Sequence, residues 1–285
     1  MTIKRVGVIG SGIMGSGVAE VAAKAGFEVV LRSRAQTSAD AMIAGLEKSL
    51  AKQVDRKKLD DAERTAVLGR VRAVSELGEL AECDLVLESI VEEMAPKLEL
   101  FAELDRICGE TAILATNTST LSVATMAAAT GRPDQVCGIH FFNPAPAMAL
   151  VEVVRATTSS DATIAAARDF AEACGKTVVD VRDQAGFIVN ALLFPYLNNA
   201  VRLLDAGVAS RDGIDAAMKG GCNFPMGPLE LLDLVGLDTS LAILGALYEE
   251  FKDTNYAPAP LLKRMVSAER YGRKSGQGFY DYAKK

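Results

Sequence analysis

Short apolar runs alternate with longer segments of helical period through the first two thirds of the chain, and this alternation predicts a sheet covered by helices. The first run, Arg5–Ile9, is rich in β-branched residues of the kind buried in a parallel sheet. Further strands are predicted at residues 28–31, 84–88, 111–115, 136–140, 150–154 and 177–181. Helices are predicted at residues 16–24, 39–58 and 161–174, and two more begin near 92 and 121. Strands that alternate with helices are typical of an α/β domain with a mostly parallel sheet.

The pattern changes near residue 185, and no convincing strand follows. Residues 187–204, 211–219, 228–251 and 259–268 all have helical period. We therefore predict an α/β domain over residues 1–184 and an all-helical domain over residues 185–285. The segment 271–280 is glycine-rich and irregular, yet too aromatic for a disordered end.

A glycine-rich turn follows the first predicted strand and has the G-x-G-x-x-G spacing. Its residues are Gly10, Ser11, Gly12, Ile13, Met14 and Gly15. The first glycine permits a tight turn, the second lets a pyrophosphate approach the backbone, and the third allows close packing of helix on strand. The N-terminus of the following helix would face the phosphates. Because the motif lies between a strand and a helix, we predict that it binds a dinucleotide and is not a plain glycine turn.

Composition narrows the possible functions. The chain has 285 residues and a net charge of −6, which argues against general nucleic-acid binding. No run approaches the roughly 18 apolar residues of a membrane helix, and the first strand begins without a signal segment. The five cysteines have no metal-ligand spacing, and a zinc site is not expected with one histidine. We therefore expect a cytoplasmic protein that binds no metal, membrane or nucleic acid.

The single histidine, His140, lies at the end of a predicted strand, where catalytic groups are often found. Histidine is the side chain whose ordinary pKa lies close to neutrality, so His140 is the candidate general base. The alternative is a partly buried histidine with a satisfied hydrogen bond. Glu152, on the next strand, could hold the second ring nitrogen and stabilise the charged imidazole. Ser119 and an asparagine could hydrogen-bond a reacting oxygen.

Small polar residues at 116–120 follow the strand predicted at 111–115. Ligands bind at the carboxyl ends of strands in open α/β sheets, so these residues form a candidate binding loop. The alternative is that their hydroxyls cap the helix beginning at 121, and both roles are compatible.

Three basic residues, Lys48, Lys52 and Arg56, follow one another at spacings of four. They share one face of a predicted helix, with Ser49 beside them. Such a basic stripe usually is a solvated surface, and acidic residues nearby support that interpretation. The alternative is a cradle for a polyanionic ligand.

Together these motifs resemble the 3-hydroxyacyl-CoA dehydrogenase family, especially its stand-alone 3-hydroxybutyryl-CoA type. The matching stretches run nearly from end to end in family order: residues 10–15, 117–119, 140–144, 151–153, 186–190, 225–228 and 272–276. The resemblance implies a Rossmann-like N-terminal domain, a helical C-terminal domain that forms a homodimer, and a CoA thioester as substrate. It also implies that His140 is the base paired with Glu152, and that Ser119 and Asn190 hold the substrate oxygen.

The resemblance assigns further residues to binding. The cofactor contacts would be Glu92, Lys97, Asn117, Asn143 and Lys274. The CoA contacts would be Ser49 with Lys52 or Arg56. CoA carries the phosphates that the basic stripe would need.

Two positions depart from the family pattern. The family usually has an acidic residue at the end of the second strand, where this chain has Ser33 followed by Arg34; it commonly has arginine where this chain has Ala191. An acidic side chain there bonds the ribose 2′-hydroxyl of NAD. Ser33 has no charge to repel a 2′-phosphate and could donate a hydrogen bond to it. The Arg34 guanidinium could bind the same phosphate through two parallel hydrogen bonds. We therefore predict NAD or NADP as cofactor, with a slight preference for NADP.

The predicted reaction interconverts an (S)-3-hydroxyacyl-CoA, such as 3-hydroxybutyryl-CoA, and the 3-oxoacyl-CoA. One alternative is a dehydrogenase of a small free hydroxy acid on the same scaffold, which would not need the basic stripe. Another is a non-catalytic structural or sensor protein that binds the nucleotide. Such a protein should have lost His140, Glu152 or Ser119, and all three are present.

Overall fold

The structure, a computed structural model, describes residues 2–283 and divides the chain into two compact units after residue 183. The first unit is built on an eight-stranded sheet with the strand order β3-β2-β1-β4-β5-β6-β7-β8. The strands are β1 (Arg5–Ile9), β2 (Glu28–Arg32), β3 (Val71–Val74), β4 (Leu85–Glu88), β5 (Ile113–Thr116), β6 (Val136–Phe141), β7 (Leu150–Arg155) and β8 (Thr177–Arg182). Neighbouring strands are parallel except β6 and β7, which are antiparallel. The predicted mostly parallel α/β sheet is confirmed.

Helices join the strands of the first unit. They are α1 (Ile13–Lys24), α2 (Gln36–Asp55), α3 (Asp61–Gly69), α4 (Met94–Ile107), α5 (Val123–Ala127) and α6 (Asp161–Ala173). Helix α3 and strand β3 were not predicted. Helix α2 begins three residues earlier than predicted and ends at Asp55, so Arg56 is its C-cap. The N-cap of α5 is Ser122, whose hydroxyl accepts a hydrogen bond from Thr125 N at 3.2 Å, and not the cluster at residues 116–120.

The central strands of the sheet are buried because helices cover them. Every residue of β4, β5 and β6 is buried. Alternate strand residues, among them Val8, Leu87 and Ile139, form one core cluster with apolar residues of α1, α2 and α6. The strand order reverses between β1 and β4, and open α/β sheets bind ligands outside the carboxyl ends of the strands at such a point.

The second unit is helical, as predicted. Its helices are α7 (Val189–Asp205), α8 (Arg211–Cys222), α9 (Pro228–Val235), α10 (Leu237–Phe251) and α11 (Pro260–Ser267). The prediction of one helix over residues 228–251 is wrong, because α9 and α10 meet at a bend of 97°. Gly236 lies at the bend with a φ of 104°, a conformation that favours glycine.

The aromatic segment near residue 280 packs on a buried carboxylate. Asp233 Oδ1 accepts from Phe279 N at 2.9 Å, and Oδ2 accepts from Tyr280 N at 2.8 Å and from the Tyr282 hydroxyl at 3.1 Å. Burial, and to a smaller extent the charge of Asp215, raise the pKa of Asp233. The segment is therefore part of the folded unit, although glycine-rich.

All five cysteines are free thiols. Cys83, Cys108 and Cys137 are buried, Cys174 is half-buried and Cys222 is exposed. Burial raises the pKa of Cys108 to about 11 and that of Cys83, Cys137 and Cys174 to about 12.

Over residues 2–283, no cluster of side chains could hold a metal ion. No single helix in that range could cross a membrane by length and apolarity, although the bent pair α9–α10 reaches that composition jointly.

Candidate active site

The register of β6 and β7 brings His140 and Glu152 together. The two residues are directly paired across the antiparallel ladder. His140 Nδ1 lies 2.7 Å from Glu152 Oε2. Both side chains are buried, with 4% and 1% of the residue surface exposed. Strand register, which is fixed by many backbone hydrogen bonds, thus positions this pair.

The contact with Glu152 decides which ring nitrogen of His140 carries the proton. A carboxylate only accepts hydrogen bonds, so Nδ1 is the protonated nitrogen and Nε2 carries the lone pair of the neutral ring. Nε2 lies 3.1 Å from the hydroxyl oxygen of Ser119. The ring can therefore take a proton at Nε2, and Glu152 would stabilise the imidazolium that results.

Ser119 lies in the loop after β5, and the loop is held by its own hydroxyl groups. The Thr116 hydroxyl donates to Glu88 Oε2 at 2.8 Å and accepts from Thr118 N at 3.1 Å. The Thr118 hydroxyl donates to Glu92 Oε1 at 2.6 Å. The small polar residues predicted as a binding loop thus fix the backbone that carries Ser119.

A buried ion pair that was not predicted lies beneath this loop. Lys97 Nζ on α4 contacts Oε1 of Glu88, the last residue of β4, at 2.6 Å, and both side chains are almost fully buried. Lys97 Nζ also lies 3.5 Å from Glu92 Oε2. A buried charge requires a partner of opposite charge. A carboxylate at the end of an otherwise apolar strand was therefore the sequence signal that Glu88 belongs to a buried ion pair.

The glycine turn is closely packed at Gly10 and Gly15 and open at Gly12. A side chain at Gly10, whose φ is +133°, would meet the backbone of Ser89, and one at Gly15 would meet the carbonyl oxygen of Gly10. A Cβ at Gly12 would have no atom within 4 Å. Helix α1 begins after Gly12 without a side-chain cap. Its first N–H groups are therefore available to an anion, while Met14 is half-buried and Ile13 is exposed.

Ser33 and Arg34 follow directly on β2. Ser33 is buried, and its N–H donates to Val74 O at 3.0 Å. Arg32 donates from Nε to Ser75 O at 3.0 Å, and burial lowers its pKa. Arg34 is exposed. Arg34 is therefore the guanidinium that a ligand near Ser33 could reach.

The basic stripe is exposed, but Ser49 is engaged elsewhere. Lys48, Lys52 and Arg56 are exposed and form no ion pair with any residue of the described chain. The Ser49 hydroxyl donates to Glu20 Oε2 at 2.8 Å. A phosphate could therefore contact the three cations. The Ser49 hydroxyl, by contrast, already donates its hydrogen bond to the Glu20 carboxylate.

Two asparagines predicted as cofactor contacts lie near His140 in sequence or space. Asn117 Oδ1 accepts from Phe141 N at 2.8 Å, which extends the hydrogen bonding of β6. Asn143 is exposed in the loop after β6. Lys176 holds this loop by donating to Ala145 O at 2.7 Å and Met148 O at 2.8 Å.

Two predicted site residues belong to the second unit. Asn190 is buried in the first turn of α7, just after Gly186 and Phe187, which have φ values of 76° and 48°. Lys274 lies in a 3₁₀ turn, and its ammonium contacts Asp238 Oδ2 at 2.5 Å.

Comparison with known families accounts for nearly the whole chain. Residues 5–184 match the model of the 3-hydroxyacyl-CoA dehydrogenase NAD binding domain. Residues 186–282 match that of the 3-hydroxyacyl-CoA dehydrogenase C-terminal domain.

Individual proteins are similar over their full length. A 3-hydroxybutyryl-CoA dehydrogenase of Mycobacterium tuberculosis is 47% identical over 282 residues, which is 98% of this chain and 99% of that protein. The crystal structure of FadB2 from M. tuberculosis has a TM-score of 0.97 and 46% identity, covering 99% of this chain and 100% of that one. The crystal structure of an (S)-3-hydroxybutyryl-CoA dehydrogenase from Ralstonia eutropha has a TM-score of 0.96 and 40% identity, with coverage of 99% and 100%.

Proposed function

Because this chain belongs to the 3-hydroxyacyl-CoA dehydrogenase family, we propose that His140 transfers the proton in the family's reaction and that Ser119 holds the reacting oxygen. That reaction is the oxidoreduction of a 3-hydroxyacyl-CoA, as predicted, and NAD is the cofactor that the family's first domain binds. We propose 3-hydroxybutyryl-CoA and acetoacetyl-CoA as the substrate pair, because relatives that are 47% and 46% identical over nearly the whole chain are named 3-hydroxybutyryl-CoA dehydrogenase.

The observation that carries the catalytic assignment is the Glu152–His140–Ser119 chain of contacts, at 2.7 Å and 3.1 Å. In the oxidation direction, Nε2 of His140 takes the proton of the substrate hydroxyl. Glu152 stabilises the imidazolium, and the Ser119 hydroxyl donates to the substrate oxygen while it has alkoxide character. In reduction, the imidazolium returns the proton to the same oxygen. Asn190 is proposed as a second donor to that oxygen.

The first unit fits a dinucleotide at its glycine turn. Gly12 leaves the space for a pyrophosphate, and the uncapped start of α1 offers N–H groups to it. When bound, the nicotinamide accepts the hydride from C3 of the substrate or returns it. We propose that Glu92, Lys97, Asn117, Asn143 and Lys274 complete the cofactor site.

For the finer choice of cofactor, we propose that NADPH is accepted at least as readily as NADH. No acidic side chain follows β2 at Ser33 to repel a 2′-phosphate. Arg34 is exposed beside it and can donate two parallel hydrogen bonds to a phosphate.

For the CoA portion, we propose the stripe of Lys48, Lys52 and Arg56 as the phosphate contact. All three are exposed cations with no ion-pair partner among residues 2–283. Ser49 lies beside the stripe and would contribute by turning its hydroxyl from Glu20 Oε2, to which it donates at 2.8 Å, and donating to a phosphate oxygen instead.

We also propose a homodimer formed through the second unit. Large apolar side chains are exposed there: Ile188, Leu192, Leu203, Val208, Phe224 and Leu234.

The five free thiols support a cytoplasmic location. The net charge of −6 supports the absence of nucleic acid as a partner.

The proposed substrate is tested by following the absorbance of reduced nicotinamide. We expect oxidation of the cofactor with acetoacetyl-CoA, at a rate that changes with acyl chain length across longer 3-oxoacyl-CoAs. Free acetoacetate is the matched control, since it has the reacting group without the CoA phosphates. Equal kcat/KM for acetoacetate and acetoacetyl-CoA would favour the free hydroxy acid activity instead.

A further inference from the structure

One oxygen of Glu92 binds the backbone and side chains of the Ser119 loop. Glu92 Oε1 accepts from the Thr118 hydroxyl at 2.6 Å and from Ser119 N at 2.7 Å. It also accepts from Thr120 N at 3.1 Å and from the Thr120 hydroxyl at 3.4 Å. Three consecutive residues are thus attached to one carboxylate oxygen that comes from a different segment of the chain.

These contacts determine which group of Ser119 can act on a substrate. The Ser119 N–H is already donated to Glu92, so it is not available to a developing oxyanion. The hydroxyl is the remaining donor, and it lies 3.1 Å from His140 Nε2. A donor contributes to rate only when it is held where charge develops. The backbone contact with Glu92 holds the Cα of Ser119, and therefore the origin of its hydroxyl.

The second oxygen of Glu92 faces a rigid neighbour. Oε2 lies 3.5 Å from Lys97 Nζ, and Lys97 is fixed by its buried contact with Glu88 at 2.6 Å. Glu88 also accepts from Ile90 N at 2.6 Å, which ties the start of the segment that carries Glu92. Glu92 is therefore held from one side by the end of β4 and α4, and it holds the Ser119 loop on the other.

We propose that Glu92 is a positioning residue for catalysis, which acts through Ser119 by fixing its hydroxyl beside His140. This role goes beyond contact with the cofactor. Oε1 holds the Ser119 loop, whereas Oε2 has only the longer contact with Lys97 and is the oxygen that a cofactor could use. The proposal rests on the proposed function, in which His140 transfers the proton and the Ser119 hydroxyl donates to the substrate oxygen. Loss of Glu92 and loss of the Ser119 hydroxyl should therefore impair the same step, in which that hydroxyl donates to the substrate oxygen.

The test is a double-mutant cycle on kcat with Glu92→Ala, Ser119→Ala and the double variant, at saturating acetoacetyl-CoA and cofactor. A displacement of about 1 Å at a reacting group can cost on the order of 10²-fold in rate. We expect Glu92→Ala to lower kcat by roughly 10- to 100-fold. In the Ser119→Ala background, the same change should lower kcat by no more than about twofold, because interacting sites are not additive.

Conservative variants keep the test informative if the alanine variant folds poorly. Glu92→Gln retains a carbonyl oxygen for Ser119 N and should recover most of the kcat lost in Glu92→Ala. Glu93→Gln is the matched control, since Glu93 is adjacent and exposed and does not cap α4 with its side chain. It should leave kcat unchanged. The Kd for NADH, from fluorescence titration, separates cofactor binding from the effect on kcat.

Losses that multiply in the double variant would overturn the proposal, as would a Glu92→Ala effect confined to the Kd for NADH. If Ser119→Ala alone keeps normal kcat, the role of Ser119 fails and the proposal with it. The proposed function fails separately, in the wild-type protein, if acetoacetyl-CoA is not reduced.

Discussion

His140 and Glu152 face each other as a directly paired couple on the antiparallel strands β6 and β7, with Nδ1 and Oε2 2.7 Å apart. The strands that precede β6 in the sheet are parallel to their neighbours, so the carboxyl ends that bind ligands lie on one edge. Strand β7 runs in the opposite direction beside β6, which places Glu152 next to His140. The pair is thereby held by a backbone ladder and does not depend on loop conformation.

We expect His140→Asn to lower kcat by roughly 10²–10⁴, the range for loss of a general base. Glu152→Gln should also lower kcat, because the amide cannot neutralise an imidazolium. Both variants should bind NADH nearly as the wild type does, which fluorescence titration measures. Near-normal turnover by His140→Asn would show that another group is the base.

Replacing Lys52 and Arg56 by alanine should raise KM for acetoacetyl-CoA by roughly 3- to 10-fold, since exposed charge pairs contribute about 0.2–1 kcal/mol each. The value of kcat should change little, because these groups would bind ground and transition states equally. The effect should shrink with added salt, which screens exposed charges.

The matched control for the basic stripe is Lys263→Ala with Arg270→Ala, which removes the same charge from exposed positions of the second unit. Steady-state kinetics at low and high salt compare the two double variants. If both shift KM equally, the stripe is a general solvated surface and not a CoA contact.

We expect kcat/KM with NADPH to equal or exceed that with NADH in the wild type. The double change Ser33→Asp and Arg34→Ile should turn the preference towards NADH, because it adds a charge that repels a 2′-phosphate and removes one that attracts it. A wild type that prefers NADH tenfold or more, about 1.4 kcal/mol, contradicts the prediction. So does a double variant with unchanged preference.

Glu20 should stabilise the first unit in a way that depends on pH. Burial would raise the pKa of this carboxyl, but hydrogen bonds from Lys24, Gln53 and Ser49 outweigh it and lower the pKa. Because the pKa is lower in the folded state, the stabilisation is complete above the ordinary glutamate pKa of about 4.3 and is lost as pH falls through the lower folded value.

We therefore expect Glu20→Gln to reduce the free energy of unfolding by about 1–3 kcal/mol near pH 7, the size of hydrogen bonds to a charged group. The difference from wild type should narrow in acid. Urea titrations followed by circular dichroism at several pH values measure it. Glu47→Gln, an exposed change on α2, is the control and should have little effect at any pH. An equal loss of stability at pH 7 and in acid would rule out the linkage.

The main elements were predictable because most carry strong periodicity, and the exceptions lack it. Strand β3 has only four residues, Val71–Val74, of which only the last is buried, so its pattern resembles a loop. Helix α3 has a capping box from Asp60 and Glu63 but buries only Val67. Its apolar periodicity was therefore too weak to detect.

The bend at Gly236 could not be predicted from periodicity alone. Both α9 and α10 are apolar, so a continuous helical pattern runs through them. An isolated glycine inside a helix is tolerated at a cost of about 1 kcal/mol, and nothing local distinguishes that case from a break. The positive φ is decided by packing of the surrounding unit.

For the candidate site, the chemistry of single residues was visible in the sequence, but their mutual support was not. His140, Glu152 and Ser119 stand out by residue type and strand position. The contacts of Glu88 with Lys97 and of Glu92 with Ser119 join segments that only the folded chain brings together. Ser49 is similar, because its partner Glu20 lies on another helix.

The distribution of thiols makes this protein convenient for site-specific labelling. Only a thiolate attacks a maleimide at a useful rate, and burial keeps Cys83, Cys108, Cys137 and Cys174 protonated with pKa values of about 11 to 12. Cys222 is exposed at the end of α8. A fluorophore or spin label can therefore be attached at one native position of the helical unit, without first building a background in which the other cysteines are replaced.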